Sequence, residues 1–168
     1  ADTVGLASFR GIDKSYPMYV VPIEHVLCME RFEVFEDLMR FQKLIDYDTS
    51  TPGKVVFISH AWLGRVHPDP KGVKLRLLQE LLRGMRNSLV EVHNHWIVEL
   101  LFGNQTIKSE ELQGAAENGL IWLDWESVPQ SDPGGQQLAI ESIPFYVRES
   151  HYFFVLQPPA VHEDARLW

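Results

Sequence analysis

The fold is decided by two stretches of sequence, VVFIS at residues 55–59 and LIWLD at residues 120–124. Each is a short, unbroken apolar run that follows a turn-forming pair, Pro52-Gly53 before the first and Asn118-Gly119 before the second. Runs of this kind are typical of strands that are buried on both faces, as in a parallel sheet. We therefore expect the two strands to lie side by side and to point in the same direction.

The residues between these two strands predict a long helix. Apolar residues recur there at alternating spacings of three and four, which indicates one helical seam from about Val73 to about Phe102. The seam consists of Leu75, Leu78, Leu82, Met85, Leu89, Val92 and Trp96. Two interpretations stay open for this helix: it lies on the sheet along its whole length, or its far end projects and docks onto a partner.

The rest of the chain completes an alternating order. A capped helix is expected over 109–119, and a helix kinked at Pro144 is expected to precede a third strand at about 152–156. The residues of the kinked helix that we expect to face inward are Leu138, Ile140, Ile143 and Val147. Strands that alternate with helices predict an α/β fold with a parallel sheet and right-handed crossovers.

The first fifty residues predict an extension packed on this core. Residues 1–16 show no periodicity and are interpreted as a loosely held arm, and YPMYVVP at 16–22 as a short edge strand or extended segment. Residues 24–43 indicate one or two amphipathic helices, and DYDTSTPG at 46–53 a turn. The expected division is therefore an extension over 1–50 and an α/β domain over 51–168.

Composition restricts the classes of function. The 168 residues contain 15 Lys and Arg against 23 Asp and Glu, so the formal net charge is −8, which disfavours binding to nucleic acid or to anionic membranes. No apolar run reaches the roughly 18 residues that a membrane-spanning helix needs. The single cysteine, Cys28, is interpreted as a buried structural thiol. We expect a soluble, intracellular protein.

Polar and aromatic residues follow both central strands. The ligand-pocket candidates are Ser59, His60, Trp62, Asp124, Trp125 and Ser127. Because ligands bind beyond the carboxyl ends of parallel strands, and indole rings stack on flat ligands, this group predicts a nucleotide-type site. The alternative is that the tryptophans close the core and Asp124 caps a turn. The histidines lack metal-ligand spacing, so no metal site is predicted.

The motifs VVFISHAW, LIWLDWESVPQSDPG and LAIESIPFYVRESHYFFVLQPP, in this order, resemble the Toll/interleukin-1 receptor (TIR) domain, most closely the TIR-like domains of protist and algal proteins. The resemblance covers about residues 53–160. It implies a flavodoxin-like sheet whose first three strands are 55–59, 120–124 and 152–156. It also implies an association loop with the candidate residues Glu126, Val128, Pro129, Gln130, Pro133 and Gly134.

The resemblance implies two kinds of function. TIR domains are either association modules or enzymes that cleave NAD, and the catalytic glutamate of the enzymes lies on a helix after the third strand, behind a Trp-Cys pair. No such stretch occurs before Trp168, so no catalytic residue is assigned and the chain is expected to be a C-terminally incomplete piece of a longer protein. We expect a non-catalytic signalling, assembly or accessory module with a protein partner or a second copy. The alternatives are a fragment of an NAD nucleosidase and a nucleotide sensor without turnover, with NAD as the substrate or ligand.

Overall fold

The computed structural model describes residues 14–92 and 106–167, and shows an α/β fold with a five-stranded mixed sheet between helices. The strands are β1 (Met18–Pro22), β2 (Ile45–Tyr47), β3 (Val55–Ser59), β4 (Leu120–Leu123) and β5 (Tyr152–Val155). The helices are α1 (Ile23–Cys28), α2 (Phe35–Arg40), α3 (Val73–Arg86), α4 (Ser109–Glu117), α5 (Asp124–Ser127), α6 (Pro133–Glu141) and α7 (Ile143–Glu149). A 3₁₀ helix spans Glu163–Leu167.

The two deciding stretches are neighbours in the sheet, and they run parallel. The strand order is β2-β1-β4-β3-β5, and β3 pairs in parallel with both β4 and β5. Val55 lies opposite Leu120, and Ile58 lies opposite Leu123. The order β4-β3-β5 places the first parallel strand between the second and the third, which is consistent with a flavodoxin-like fold. The prediction of an α/β fold is therefore confirmed.

The N-terminal segment contributes two strands to this sheet. β1 lies between β2 and β4 and is antiparallel to both, so the prediction that it is an edge strand is wrong. Its two prolines do not prevent an interior place, because Pro17 precedes the strand and Pro22 is its last residue. β2 was not predicted, because its three residues are too few to produce a visible alternation. It begins before the predicted turn and includes the first two residues of that turn. The turn itself follows, where Asp48 Oδ1 accepts from the Ser50 amide.

The long helix ends much earlier than the apolar seam predicts. α3 stops at Arg86, where Ser88 adopts a positive φ of 54° and the Leu89 amide donates to the Gly84 carbonyl at 2.8 Å. This bonding pattern closes a helix because it satisfies the last free carbonyls. Beyond it, Leu89 is exposed and Val92 forms an antiparallel bridge with Ile107. The remainder of the seam, including Trp96, falls outside the described residues.

Two apolar clusters cover the two faces of the sheet. One joins β3 and β4 to α1, α3 and α4, and its buried residues from α3 are the first four of the predicted seam. The other contains Phe57, Trp122, Ala139 and Tyr146, and joins the sheet to α6 and α7. Both clusters contain residues from before and after position 50, so the N-terminal segment shares its cores with the rest of the chain. Cys28, at the end of α1, is exposed, so the prediction of a buried thiol is wrong.

The predicted kinked helix is two helices, α6 and α7, that meet at Ser142. Pro144 lies in the first turn of α7, where its missing N–H is tolerated. The residues that face the sheet are Ala139, Ser142 and Tyr146, and the Tyr146 hydroxyl donates to the Tyr16 carbonyl. The predicted inward face is wrong at three of its four residues, because Leu138, Ile140 and Val147 are exposed. Ile143 is partly buried and packs against the cluster that contains Trp122.

Candidate functional site

The carboxyl ends of β3 and β4 bring the two predicted tryptophans together. The rings of Trp62 and Trp125 meet edge to face with their centroids 5.5 Å apart. Between them, Asp124 Oδ1 lies 2.9 Å from His60 Nε2 and accepts from the Trp125 amide at 2.7 Å, and its Oδ2 accepts from Trp62 Nε1 at 2.9 Å. Four of the six pocket candidates therefore form one hydrogen-bonded group.

Lys74 also belongs to this hydrogen-bonded group, although the sequence did not predict it as a site residue. Its Nζ lies 3.1 Å from His60 Nδ1, and the ammonium group can only donate, so Nδ1 accepts and His60 Nε2–H donates to Asp124. Lys74 is fully buried, and burial lowers its pKa, although the charges of Asp69 and Asp124 act to raise it. The result is a chain of hydrogen bonds from Lys74 through His60 to Asp124.

Asp124 is held as a carboxylate. Burial acts to raise its pKa, but the hydrogen bonds that it accepts from His60 Nε2, Trp62 Nε1 and the Trp125 amide outweigh burial and bring the pKa below its usual value. The His60 side chain is sealed from solvent, whereas that of Asp124 is 37% exposed. The part of the chain of hydrogen bonds that a ligand can reach is therefore the edge of Asp124.

The loop after β3 is anchored by Asp69 and His67. Asp69 is buried, and its two oxygens accept from the amides of Val73 and Leu75 at 2.8 and 2.9 Å. His67 Nδ1 accepts from the Asp69 amide, so Nε2 carries the hydrogen and donates to the Phe32 carbonyl at 3.2 Å. The His67 ring also contacts Trp125, at a centroid distance of 5.3 Å. These contacts fix the loop that contains Trp62 and the start of α3, which contains Lys74.

The two serine candidates are placed differently from the other four. Ser127 is buried, and its Oγ accepts from the Leu123 amide within the turn after β4. Ser59 is half-buried at the end of β3, and its carbonyl accepts from the Leu156 amide. Ser127 therefore acts on the backbone of the strand end, and it presents no hydroxyl to a ligand in this conformation.

Most of the predicted association loop is covered. Glu126, Val128 and Pro129 are buried, and Gln130 is half-buried. The amides of Gln130 and Ser131 donate to Glu36 Oε1 at 2.7 and 2.6 Å, which ties the loop to α2. Pro133 and Gly134 are exposed at the start of α6. Of the six association candidates, these two present the most surface to a partner.

Glu126 is a completely buried carboxyl group, and neither of its oxygens has a hydrogen-bond partner in the described part of the chain. Burial raises its pKa to about 8; the nearby Glu33 amide acts against this, and the charges of Glu33 and Asp124 add to it. The group is therefore protonated at neutral pH. The sequence does not indicate this burial, because the segment around Glu126 was predicted as an association loop, whereas it forms the short helix α5.

A second candidate surface lies at the outer edge of β5. Phe153 is 50% exposed and Val155 is 66% exposed. Alternation places both on the sheet face that α6 and α7 cover, and the Phe153 ring stacks on Phe57 at 5.1 Å. The outer edge of β5 has no strand partner among residues 14–92 and 106–167. We call Phe153, Val155 and this open edge the β5 surface.

Comparison with known proteins adds no further guide to function. No family model matches the chain, and neither a curated protein nor a solved structure is similar to it. The resemblance to TIR domains therefore stays a prediction. Within the described ranges, no helix combines the length and the apolar character that crossing a bilayer requires, and no three metal-ligating side chains cluster.

Proposed function

We propose that the protein is an association module that pairs with a second copy of itself through the β5 surface. The observation that carries this proposal is an unpaired strand edge with two large apolar side chains, Phe153 and Val155, half or more exposed. Exposed apolar strand edges are templates for pairing with another chain. An association role, in signalling, assembly or a larger complex, is also what the resemblance to TIR domains implies.

A second copy is the partner that the β5 sequence fits best. The strand YFFV carries no charged residue, so antiparallel pairing of two copies places no like charges opposite each other. Edge strands that avoid pairing contain charged residues, proline or bulges, and none of these interrupts Tyr152–Val155. Such pairing is two-fold symmetric, and each copy contributes the same surface. The net charge of −8 per chain opposes the approach of two copies, so salt strengthens the pairing.

Val155→Lys is expected to weaken self-association at least tenfold, which corresponds to about 1.4 kcal/mol. In each copy the substitution replaces one of the two exposed apolar side chains of the β5 surface by a cation, and a charged side chain on an edge strand opposes pairing. It spares the core, because Val155 is 66% exposed. Sedimentation equilibrium over a range of concentrations measures the dissociation constant.

Val66→Lys is the matched control, since Val66 is 85% exposed in the loop after β3 and belongs to no strand of the sheet. The control should dimerise like the wild type. A wild-type chain that stays monomeric at its highest soluble concentration contradicts the proposal. Equal weakening by both substitutions contradicts the β5 surface in particular.

A second candidate function is the sensing of a nucleotide such as NAD without turnover, and the accessible edge of Asp124 favours it. A carboxylate at the end of a strand can accept hydrogen bonds from ribose hydroxyls, and the indole rings of Trp62 and Trp125 can stack on a base. Trp125 Nε1 is also a buried donor with no acceptor among the described residues. Cleavage of NAD by a longer parent protein is the remaining alternative, with no catalytic residue assigned here.

Titration of the wild type with NAD is expected to change its tryptophan fluorescence saturably, without release of free nicotinamide. Asp124→Asn should weaken this binding several-fold, because it replaces a charged acceptor by a neutral one. Asp132→Asn, on the exposed start of α6, should leave it unchanged. The absence of any fluorescence change removes this candidate, and release of nicotinamide by the wild type indicates turnover instead.

A further inference from the structure

A cavity of about 400 Å³ lies at the amino end of α3, beside the loop that follows β3. Three cationic side chains, Arg31, Lys71 and Arg76, line it, together with one exposed anionic side chain, Glu30. None of the three cations forms an ion pair or a side-chain hydrogen bond within the described ranges. A cluster of unpaired cations is unexpected in a chain of net charge −8, where carboxylates are in excess.

The other polar groups of the cavity wall are already engaged. Asp69 lines the cavity, but both of its oxygens accept from amides of α3, and the charge of the buried Lys74 lies close to it. His67 uses one ring nitrogen on the Asp69 amide and the other on the Phe32 carbonyl. The groups left to bind a ligand are therefore the three cations. Asp69 fixes the start of α3, next to Lys71 and Arg76, and His67 is bonded to the carbonyl of Phe32, the residue after Arg31.

The guanidinium group of Arg76 lies over Gly72. A Cβ atom at Gly72 would lie 3.1 Å from Arg76 Nη1, and Gly72 has a positive φ of 65°. Glycine at this position therefore serves the turn and leaves room for the guanidinium group at the mouth of the cavity. Arg76 is one turn into α3, so its backbone is fixed while its charged end faces the cavity.

We propose that this cavity binds a small molecule that carries two linked phosphate groups. The guanidinium groups of Arg31 and Arg76 can each donate two parallel hydrogen bonds to phosphate oxygens, and Lys71 adds a point charge. A cavity of this size falls within the range of small-ligand sites. Glu30 weakens the attraction for every anion, but the three cations outnumber it, and a diphosphate gains more from the remaining positive charge than a singly charged carboxylate does.

The cavity also adjoins the site at the ends of the strands. His67 lines the cavity on one side and contacts the Trp125 ring on the other. A diphosphate that carries a flat organic group can therefore extend from the cations toward the tryptophans. The proposal does not depend on the β5 surface, and it stands whether or not the protein self-associates.

Isothermal titration of the full chain with inorganic pyrophosphate at low ionic strength tests the proposal. The expected result is saturable binding of one pyrophosphate per chain, weakened at least tenfold by Arg76→Ala and by Arg31→Ala. Arg40→Ala is the control, because Arg40 is an exposed cation on α2 that lies over the Phe41 ring and away from the cavity. Arg31 and Arg76 are exposed, so their removal leaves the core intact, which circular dichroism verifies.

Two results would overturn the proposal: no binding of pyrophosphate by the wild type, and equal weakening by all three substitutions, which indicates a general charge effect. A parallel titration with ADP identifies the source of the diphosphate. Tighter binding of ADP than of pyrophosphate, with the difference lost in Trp125→Phe, supports a nucleotide. Equal affinities support recognition of the diphosphate alone. Failure of the NAD titration together with pyrophosphate binding removes the NAD candidate and leaves this proposal in place.

Discussion

Replacing Glu126 by Gln is expected to remove a loss of stability that the wild type shows as the pH rises from about 4.5 toward 8. The carboxyl group is completely buried, and burial raises its pKa to about 8 from the ordinary 4.5. In the unfolded chain the same group ionises near 4.5, because water solvates the carboxylate. Gln keeps the shape of the side chain and does not ionise.

The direction of the effect follows from the protons bound in each state. Between pH 4.5 and pH 8 the unfolded chain has lost the Glu126 proton and the folded chain has kept it. Ionisation therefore stabilises the unfolded state, and the free energy of unfolding falls with rising pH. At pH 7 the expected loss is about 3 kcal/mol, from about 1.4 kcal/mol per pH unit above the unfolded pKa.

Urea unfolding at several pH values between 4 and 8 measures this difference. We expect the free energy of unfolding of the wild type to fall as the pH rises, while that of Glu126→Gln, relative to its own value at pH 4, lacks this fall. The difference between the two proteins should therefore grow with pH. Glu80→Gln, at an exposed position on α3, is the control and should follow the wild type. Parallel curves for the wild type and Glu126→Gln would show that Glu126 ionises normally in the folded protein.

Asp69→Ala is expected to lower the free energy of unfolding by about 3 kcal/mol. Its buried carboxylate accepts from the amides of Val73 and Leu75, at the start of the helix that covers one face of the sheet. An unsatisfied buried amide costs about 1–3 kcal/mol, and the loss of a helix-capping acceptor costs about 0.5–2 kcal/mol. The substitution also removes a negative charge that acts on the buried Lys74.

Asp69→Asn separates the two contributions, since it retains one oxygen acceptor and loses the charge. It should cost roughly half as much as Asp69→Ala. Denaturant unfolding at pH 7 measures both variants, with Asp37→Ala at an exposed position of α2 as the control. A loss below about 1 kcal/mol for Asp69→Ala would mean that water replaces the carboxylate at these amides.

Residue patterns predicted only part of the candidate site. His60, Trp62, Asp124 and Trp125 were predictable as one group, because they follow two apolar runs whose carboxyl ends must meet in a parallel sheet. Lys74 was not predictable, since a lysine beside a helical seam is ordinarily a solvated residue. Its contact with His60 depends on how the loop at 60–72 folds back, and this in turn depends on the side-chain hydrogen bonds of Asp69 and His67.

The sequence by itself determined the α/β class, the parallel pairing of 55–59 with 120–124 and the first half of the α3 seam. Continuous apolar runs indicate strands that are buried on both faces, and apolar residues at helical spacing indicate the buried side of a helix. Tertiary structure alone decided the interior place of β1, the end of α3 at Arg86 and the burial of Glu126. Each of these depends on a partner distant in the chain or on a single backbone angle, such as the positive φ of Ser88. Hydrophobic periodicity predicts neither the distant partner nor the single backbone angle, since it averages over many residues and contains no information about which segments meet.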